Sequence, residues 1–230
     1  MWVSNEEGRS EGYSTDRGYV MANGMDRRAV RSRRLIVSAF ERLLVTRPFE
    51  RITVSAIAQE ADVDRKTFYQ HFGSIDGLLA AITDGLAARV LDEVERAVPN
   101  SVEPGERERA LAAFFAVLVQ TISEGMERDR RYVERVPVDV LYRHLSHAFS
   151  RQIAERGLLD GIIPACEQEA CLAYVLGGLF ALLRCWMLEG CGRTPDELAR
   201  TASTLAEFGL HGMVDATLWG RGQKCCGSRR

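Results

Sequence analysis

Residues 53–72, TVSAIAQEADVDRKTFYQHF, constrain the fold more than any other stretch of the chain. The pattern is two short helices joined by a tight turn, the layout of a helix-turn-helix. Thr53 is a natural N-cap, because its hydroxyl accepts from a free N–H of the first helical turn. Ile57, Ala58 and Ala61 share one face at helical spacing. Asp62-Val63 forms the turn, with Val63 wedged between the helices. Asp64 caps the second helix, and Phe68 and Phe72, four apart, take its inner face. Arg65, Lys66, Thr67, Tyr69 and His71 are left pointing outward. These are cationic or hydrogen-bonding groups, the types that meet phosphates and base edges.

With the flanking LIVSAFERLLVTRPFERI and GSIDGLLAAI, this stretch resembles the N-terminal domain of the TetR family of bacterial transcriptional regulators. The residues that carry the resemblance are Ala39, Phe40, Thr53, Ile57, Ala58, Ala61, Val63, Thr67, Phe68, Tyr69, His71, Phe72 and Leu78. They span about a quarter of the chain. Two positions depart from the family pattern. Asp62 stands where the family usually has Gly, and Asp tolerates the left-handed backbone that a turn requires. Ile75 stands where the family usually has a phosphate-touching Lys, which puts that backbone contact in doubt. The resemblance assigns Thr67, Tyr69 and His71 mainly to phosphates. The expected DNA contacts are Thr53, Ser55, Arg65, Lys66, Thr67, Tyr69 and His71, with Arg28 and Arg31 adding phosphate contacts as N-terminal arms do.

Charge distribution agrees. Residues 25–72 hold ten Arg/Lys against six Asp/Glu, whereas residues 73–219 hold fourteen against twenty-two. A basic head on an acidic body fits a protein that presents one end to an anionic polymer. With 46% hydrophobic and 27% charged residues, the chain is globular. Its six Cys (166, 171, 185, 191, 225 and 226) form no C-x-x-C pair and follow no signal peptide, so a reduced cytoplasmic protein is the simplest account. No uninterrupted apolar run reaches bilayer length: the longest, Cys171 to Leu188, carries Gly177-Gly178 and Arg184, and no membrane partner is expected.

The expected fold is all-α, a three-helix helix-turn-helix head followed by a C-terminal helical bundle. Residues 1–24 read as a disordered tail, or as upstream sequence if translation starts at Met21 or Met25. Residues 25–73 form the DNA-binding head. Its first helix has Leu35, Ile36, Ala39, Phe40, Leu43 and Leu44 as core face, preceded by Arg27, Arg28, Arg31, Arg33 and Arg34, and Pro48 ends it. Residues 74–219 form an effector-binding and dimerisation body, beginning with a long helix over 74–97. Further helices cover 106–124, 138–156, 165–188 and a last one opened by Thr194-Pro195-Asp196-Glu197, a capping box with Pro at the first helical position. Residues 220–230 are a loose basic tail.

Within the body, Gly177-Gly178 inside a helix costs ~1 kcal/mol per Gly relative to Ala, so close approach of another helix is expected there, with a cavity-shaping kink as the alternative. The family resemblance implies a homodimer through the last two long helices, with Gly177, Gly178, Leu179, Leu183 and Leu205 at the contact. The apolar breadth of 165–188 agrees with that. Phe114, Leu118, Phe149 and Tyr174, with Tyr142 or Arg184 as polar handle, are the candidate lining of a pocket between helices for a small hydrophobic effector. The same residues read equally as plain core. GGLFALLRCWMLEG and TPDEL resemble the TetR subgroup typified by the regulator of dihydroxyacetone kinase genes. Some of that subgroup answer to a protein partner, so the effector's class stays open.

His144 and His147 share a helical face without the further ligands a metal needs. The chain has no Gly-rich phosphate loop after a strand and no H-E-x-x-H, so no metal, cofactor or enzymatic activity is expected. Three functions compete: a homodimeric DNA-binding regulator, which the family resemblance makes a repressor released from a palindromic double-stranded DNA operator by a small-molecule effector; a helical interaction protein or co-activator controlled by a protein partner; and a helical enzyme.

Overall fold

A computed structural model describes the backbone of residues 16–97, 106–160, 163–190 and 192–219, and the side chains of 27–97, 112–160, 163–190 and 192–207. The described residues are helical throughout, without a strand: α1 (Asp16–Thr46), a 3-10 turn (Phe49–Arg51), α2 (Val54–Glu60), α3 (Arg65–Phe72), α4 (Ile75–Ala97), α5 (Glu106–Glu124), α6 (Met126–Arg135), α7 (Val138–Glu155), α8 (Ala165–Glu189) and α9 (Pro195–Trp219). Helix α1 begins inside the stretch read from sequence as a tail. A helix once nucleated extends at one hydrogen bond per residue fixed, so the core-facing segment carries its N-terminal neighbours into helix. Residues 1–15 of the expected N-terminal tail and the expected tail at 220–230 lie outside the described residues.

The head closes around Ile36, Ala39, Phe40, Leu43 and Leu44 of α1, Ile57 and Ala61 of α2 and its end, and Phe68 and Phe72 of α3. Leu35 is a correction: it is 40% exposed, because it sits off the stripe that Ile36, Ala39 and Phe40 define. Thr53 caps α2 through a bond from the Ala56 N–H to its hydroxyl (3.2 Å). Asp62 adopts φ 52°, the left-handed turn that Asp accepts at low cost. Asp64 holds the N-cap position of α3 without a side-chain cap bond. At the far end of α3, Ser74 caps α4 through the Gly77 N–H (2.9 Å). A Cβ on Gly77 would lie 2.0 Å from the Phe72 carbonyl oxygen, so only glycine lets α4 start this close to the end of α3.

The body core joins the second half of α4 to α5, α7, α8 and α9, with Phe115, Leu118, Phe149, Leu179, Trp186 and Leu198 among its buried members. The capping box of α9 forms in both directions: the Glu197 N–H reaches Thr194 Oγ1 (3.3 Å), and Glu197 Oε2 accepts from the Thr194 N–H (2.9 Å). Helix α6 was absent from the sequence reading. Its Tyr132, the Val136 that follows its last residue, and Leu141 of α7 are buried in the head's core rather than the body's. The Tyr132 ring lies 6.2 Å from Phe40, and its hydroxyl donates to Glu41 Oε1 (3.1 Å). Burial, reinforced by the Glu41 carboxylate, pushes the phenol's pKa far up, so it stays a donor.

Two further corrections concern α8. It runs unbroken through Gly177-Gly178 and Arg184 for 25 residues, long and apolar enough to cross a membrane by length and composition alone, contrary to the run-length expectation. A third of its most apolar window is buried against the rest of the chain. Gly177 makes room for a side chain rather than for a neighbouring backbone, since its Cβ would meet Tyr142 Oη at 3.2 Å. Gly178 faces open space.

Candidate nucleic-acid interface and interior cavity

On α3 the buried Phe68 and Phe72 fix which side chains face out. Arg65, Lys66 and Tyr69 are exposed, and Thr67 and His71 are half-buried. Arg65 Nη1 donates to Ser55 Oγ (3.4 Å), which ties the first residue of α3 to the first turn of α2. Tyr69 packs edge-on to Phe68 with 54% of its surface exposed, so its ring is braced while its hydroxyl is free to reach a phosphate. Burial, then the adjacent Arg33 guanidinium, lowers the His71 pKa. Exposed Thr53 and Ser55 border the same face. Thr53, Ser55, Arg65, Lys66 and Tyr69 are thus exposed, and the Arg65–Ser55 bond brings the first turns of α2 and α3 together.

The arginines of α1 divide. Arg28 and Arg31 are exposed. Arg33 and Arg34, grouped with them in the sequence reading, line a cavity of about 800 Å³ between head and body, with Arg33 stacked 5.0 Å from the Phe72 ring centre.

That cavity is not where the sequence placed a pocket. Its apolar walls come from α4, α6, α7 and α8, including Leu79, Ile82, Leu86, Leu145, Phe180 and Met187. Of the candidate lining, Arg184 alone faces it. Leu118 and Phe149 are buried in the body core, with Phe114 stacked on Phe149 (6.0 Å). Tyr142 packs on Phe180 (5.4 Å) and donates to the Ala173 carbonyl (3.4 Å). Tyr174 points outward, 67% exposed. Which of these residues fill the interior depends on which helices pack together, and no periodicity within one helix encodes that partner.

The expected dimer residues also separate. Leu179 and Leu183 are buried within the chain, and Leu183 lines the cavity. Leu205 of α9 is 61% exposed, and Tyr174 and Gly178 face outward on α8. No cluster able to hold a metal occurs among the described residues. His144, buried, pairs with Asp76 Oδ1 (3.0 Å), which Arg143 also reaches (3.1 Å), so α7 grips the first turn of α4. Cys166 is exposed and Cys171 buried, and burial raises the Cys171 thiol's pKa; Cys185 Sγ donates to Glu189 Oε2 (3.4 Å).

Residues 36–82 match the family described as bacterial regulatory proteins, tetR family. Over 96 residues the chain is 32% identical to the uncharacterized HTH-type transcriptional regulator YxbF of Bacillus subtilis (strain 168), covering 41% of this chain and 25% of that protein. Over 67 residues it is 36% identical to the HTH-type transcriptional regulator AlkX of Mycobacterium tuberculosis (strain ATCC 25618 / H37Rv), covering 29% of this chain and 32% of that one. The match thus spans a third or less of these curated relatives. Among solved structures, a TetR-family regulator from Streptomyces coelicolor A3 superposes with a TM-score of 0.56 at 18% identity, over 79% of this chain and 96% of the other.

Proposed function

We propose that the chain, whose residues 36–82 match the tetR family and whose fold superposes on that of a TetR-family regulator, is a homodimeric DNA-binding transcriptional regulator. The observation that carries the reading is the outward face of α3, where Arg65, Lys66 and Tyr69 stand exposed above a closed aromatic core. Both curated relatives are transcriptional regulators by name, which supports regulation rather than catalysis. Arg65 and Lys66, at the start of the recognition helix, read base edges. Thr53, Ser55, Thr67, Tyr69 and His71 hold phosphates, and Arg28 and Arg31 add to them.

Dimerisation through α8 and α9 is supported by the apolar surface that α8 leaves uncovered and by exposed Tyr174 and Leu205. Two heads then read a palindromic operator. The protein acts in the cytoplasm as a repressor, released when an effector occupies the space between head and body. The effector must favour one head spacing over the other to have any effect. Electrophoretic mobility shift with DNA fragments flanking the gene tests DNA binding, and light scattering at micromolar concentration tests the dimer. Absence of any retarded fragment refutes the first, and a single-chain mass refutes the second. A protein partner seated on the exposed face of α8 is the competing reading, and it predicts that single-chain mass.

A further inference from the structure

We propose that the cavity between head and body binds an amphipathic anion: an apolar molecule bearing one carboxylate or phosphate, which Arg184 holds. The proposal rests on the effector-controlled reading above and names the chemical class of the effector.

The argument starts from composition of the wall. Most of it is aliphatic or aromatic, yet five arginines border it: Arg33 and Arg34 of α1, Arg89 of α4, Arg128 of α6 and Arg184 of α8. Two carboxylates face them, and both are engaged. Asp129 Oδ1 accepts from Arg128 Nε (2.8 Å), and Glu41 accepts from the Tyr132 hydroxyl. Arg33, Arg34, Arg89 and Arg184 make no ion pair among the described residues. The first three reach solvent, where an unpaired guanidinium is inexpensive. Arg184 differs. The residue as a whole is half-buried, but its Nε is fully buried with no hydrogen-bond partner among the described residues, on a helix whose adjoining Leu183 and Met187 are buried apolar wall. A buried donor left without a partner carries a desolvation cost even where the rest of its guanidinium reaches solvent. An anionic head group ends that cost, and an apolar tail uses the remaining volume. The second orphan atom, Asp129 Oδ2, accepts a hydrogen bond from a ligand hydroxyl or amide without excluding an anion, since Arg128 already neutralises that carboxylate.

The neighbours define the mode of action. The same cavity touches α1 and α3 of the head through Arg33, Val37 and Phe72, so a ligand here contacts the reader's own framework.

Decanoate, decyl phosphate and decanol share one tail and differ in head group, so calorimetric titration of the purified protein with each isolates the charge. The acid and the phosphate should bind about 10- to 100-fold more tightly than the alcohol, the range of a charge-assisted hydrogen bond. Arg184→Gln should bring the two anions down to the alcohol's affinity and leave the alcohol unchanged, which also certifies the fold. Arg184→Lys should restore part of the preference. Equal binding of all three, binding of none, or an intact anion preference in Arg184→Gln overturns the proposal. Operator release is then measured separately: anions that bind at Arg184 without releasing DNA uphold the ligand class and refute the effector reading instead.

Discussion

Head and body are built from the same helices and the same residue types, yet they expose opposite kinds of information. In the head, everything that matters lies on the outside of a two-helix corner whose inside is fixed by Phe68 and Phe72. Once those rings are buried, helical geometry leaves Arg65, Lys66 and Tyr69 nowhere to go but out. In the body, what matters is interior space, and space is what remains after five helices have packed. The head is a surface set by local rules. The body's cavity is a residue of long-range ones.

The largest expected effect tests how firmly the head is joined. Gly77→Ala places a methyl against the Phe72 carbonyl and should destabilise the protein by about 3 kcal/mol or more, read by urea denaturation, with operator binding lost as well. A stable Gly77→Ala variant would mean that the head–α4 junction yields. Next comes the surface itself. Arg65→Ala should cost ~1–3 kcal/mol of operator affinity and relax sequence preference if its contact is bidentate to guanine, whereas Tyr69→Phe should weaken all sequences alike. Fluorescence anisotropy against matched and scrambled sites separates the two, and parental affinity in both would remove α3 from the interface.

Tyr132→Phe probes the junction with the body. It strips Glu41 of a donor and should cost about 1 kcal/mol of stability in thermal melts, while leaving affinity of the unliganded protein for DNA nearly unchanged. Gly178→Ala sharpens the comparison from the other side. Its methyl meets nothing within the chain, so the isolated chain should gain ~0.5–1 kcal/mol; a loss of stability that disappears on dilution would locate a second copy there. The smallest effect is on pH. Because the folded protein lowers the His71 pKa, folding favours the neutral ring, and that contribution is lost as pH falls through the ordinary histidine value. A phosphate beside it acts in reverse, so DNA binding should take up a proton and strengthen as pH falls through that window. His71→Gln should flatten that pH dependence in a binding titration.

Sequence legibility divides along the same line. The Thr53 cap, the left-handed Asp62 and the Thr194–Glu197 box are local, each decided within four residues, and each was readable. Leu35 misled because a helix's apolar stripe has an edge, and a leucine one step beyond it still satisfies the spacing. Helix α6 was hidden because MERDRRYVER is mostly charge. Its signal was present in the opposite charges at Glu127/Arg131 and Arg130/Glu134, four apart and paired in the structure. Arg184 was legible as a polar interruption in an apolar helix. That it shares a cavity with Arg33 and Arg34, about 150 residues earlier, depends on how α1 lies against α6 and could not be read from either segment.

The Tyr132–Glu41 bond has a mechanical consequence. The head meets the body along a narrow line, from the start of α4 at Gly77 to Tyr132, Val136 and Leu141 at the α6–α7 end, and a rigid piece held along a line turns most easily about it. The cavity, walled by α1, α4 and α6, lies beside that axis. A guest there has leverage over that single angle and little over any other, so the head answers as a needle on a pivot, with one reading to give.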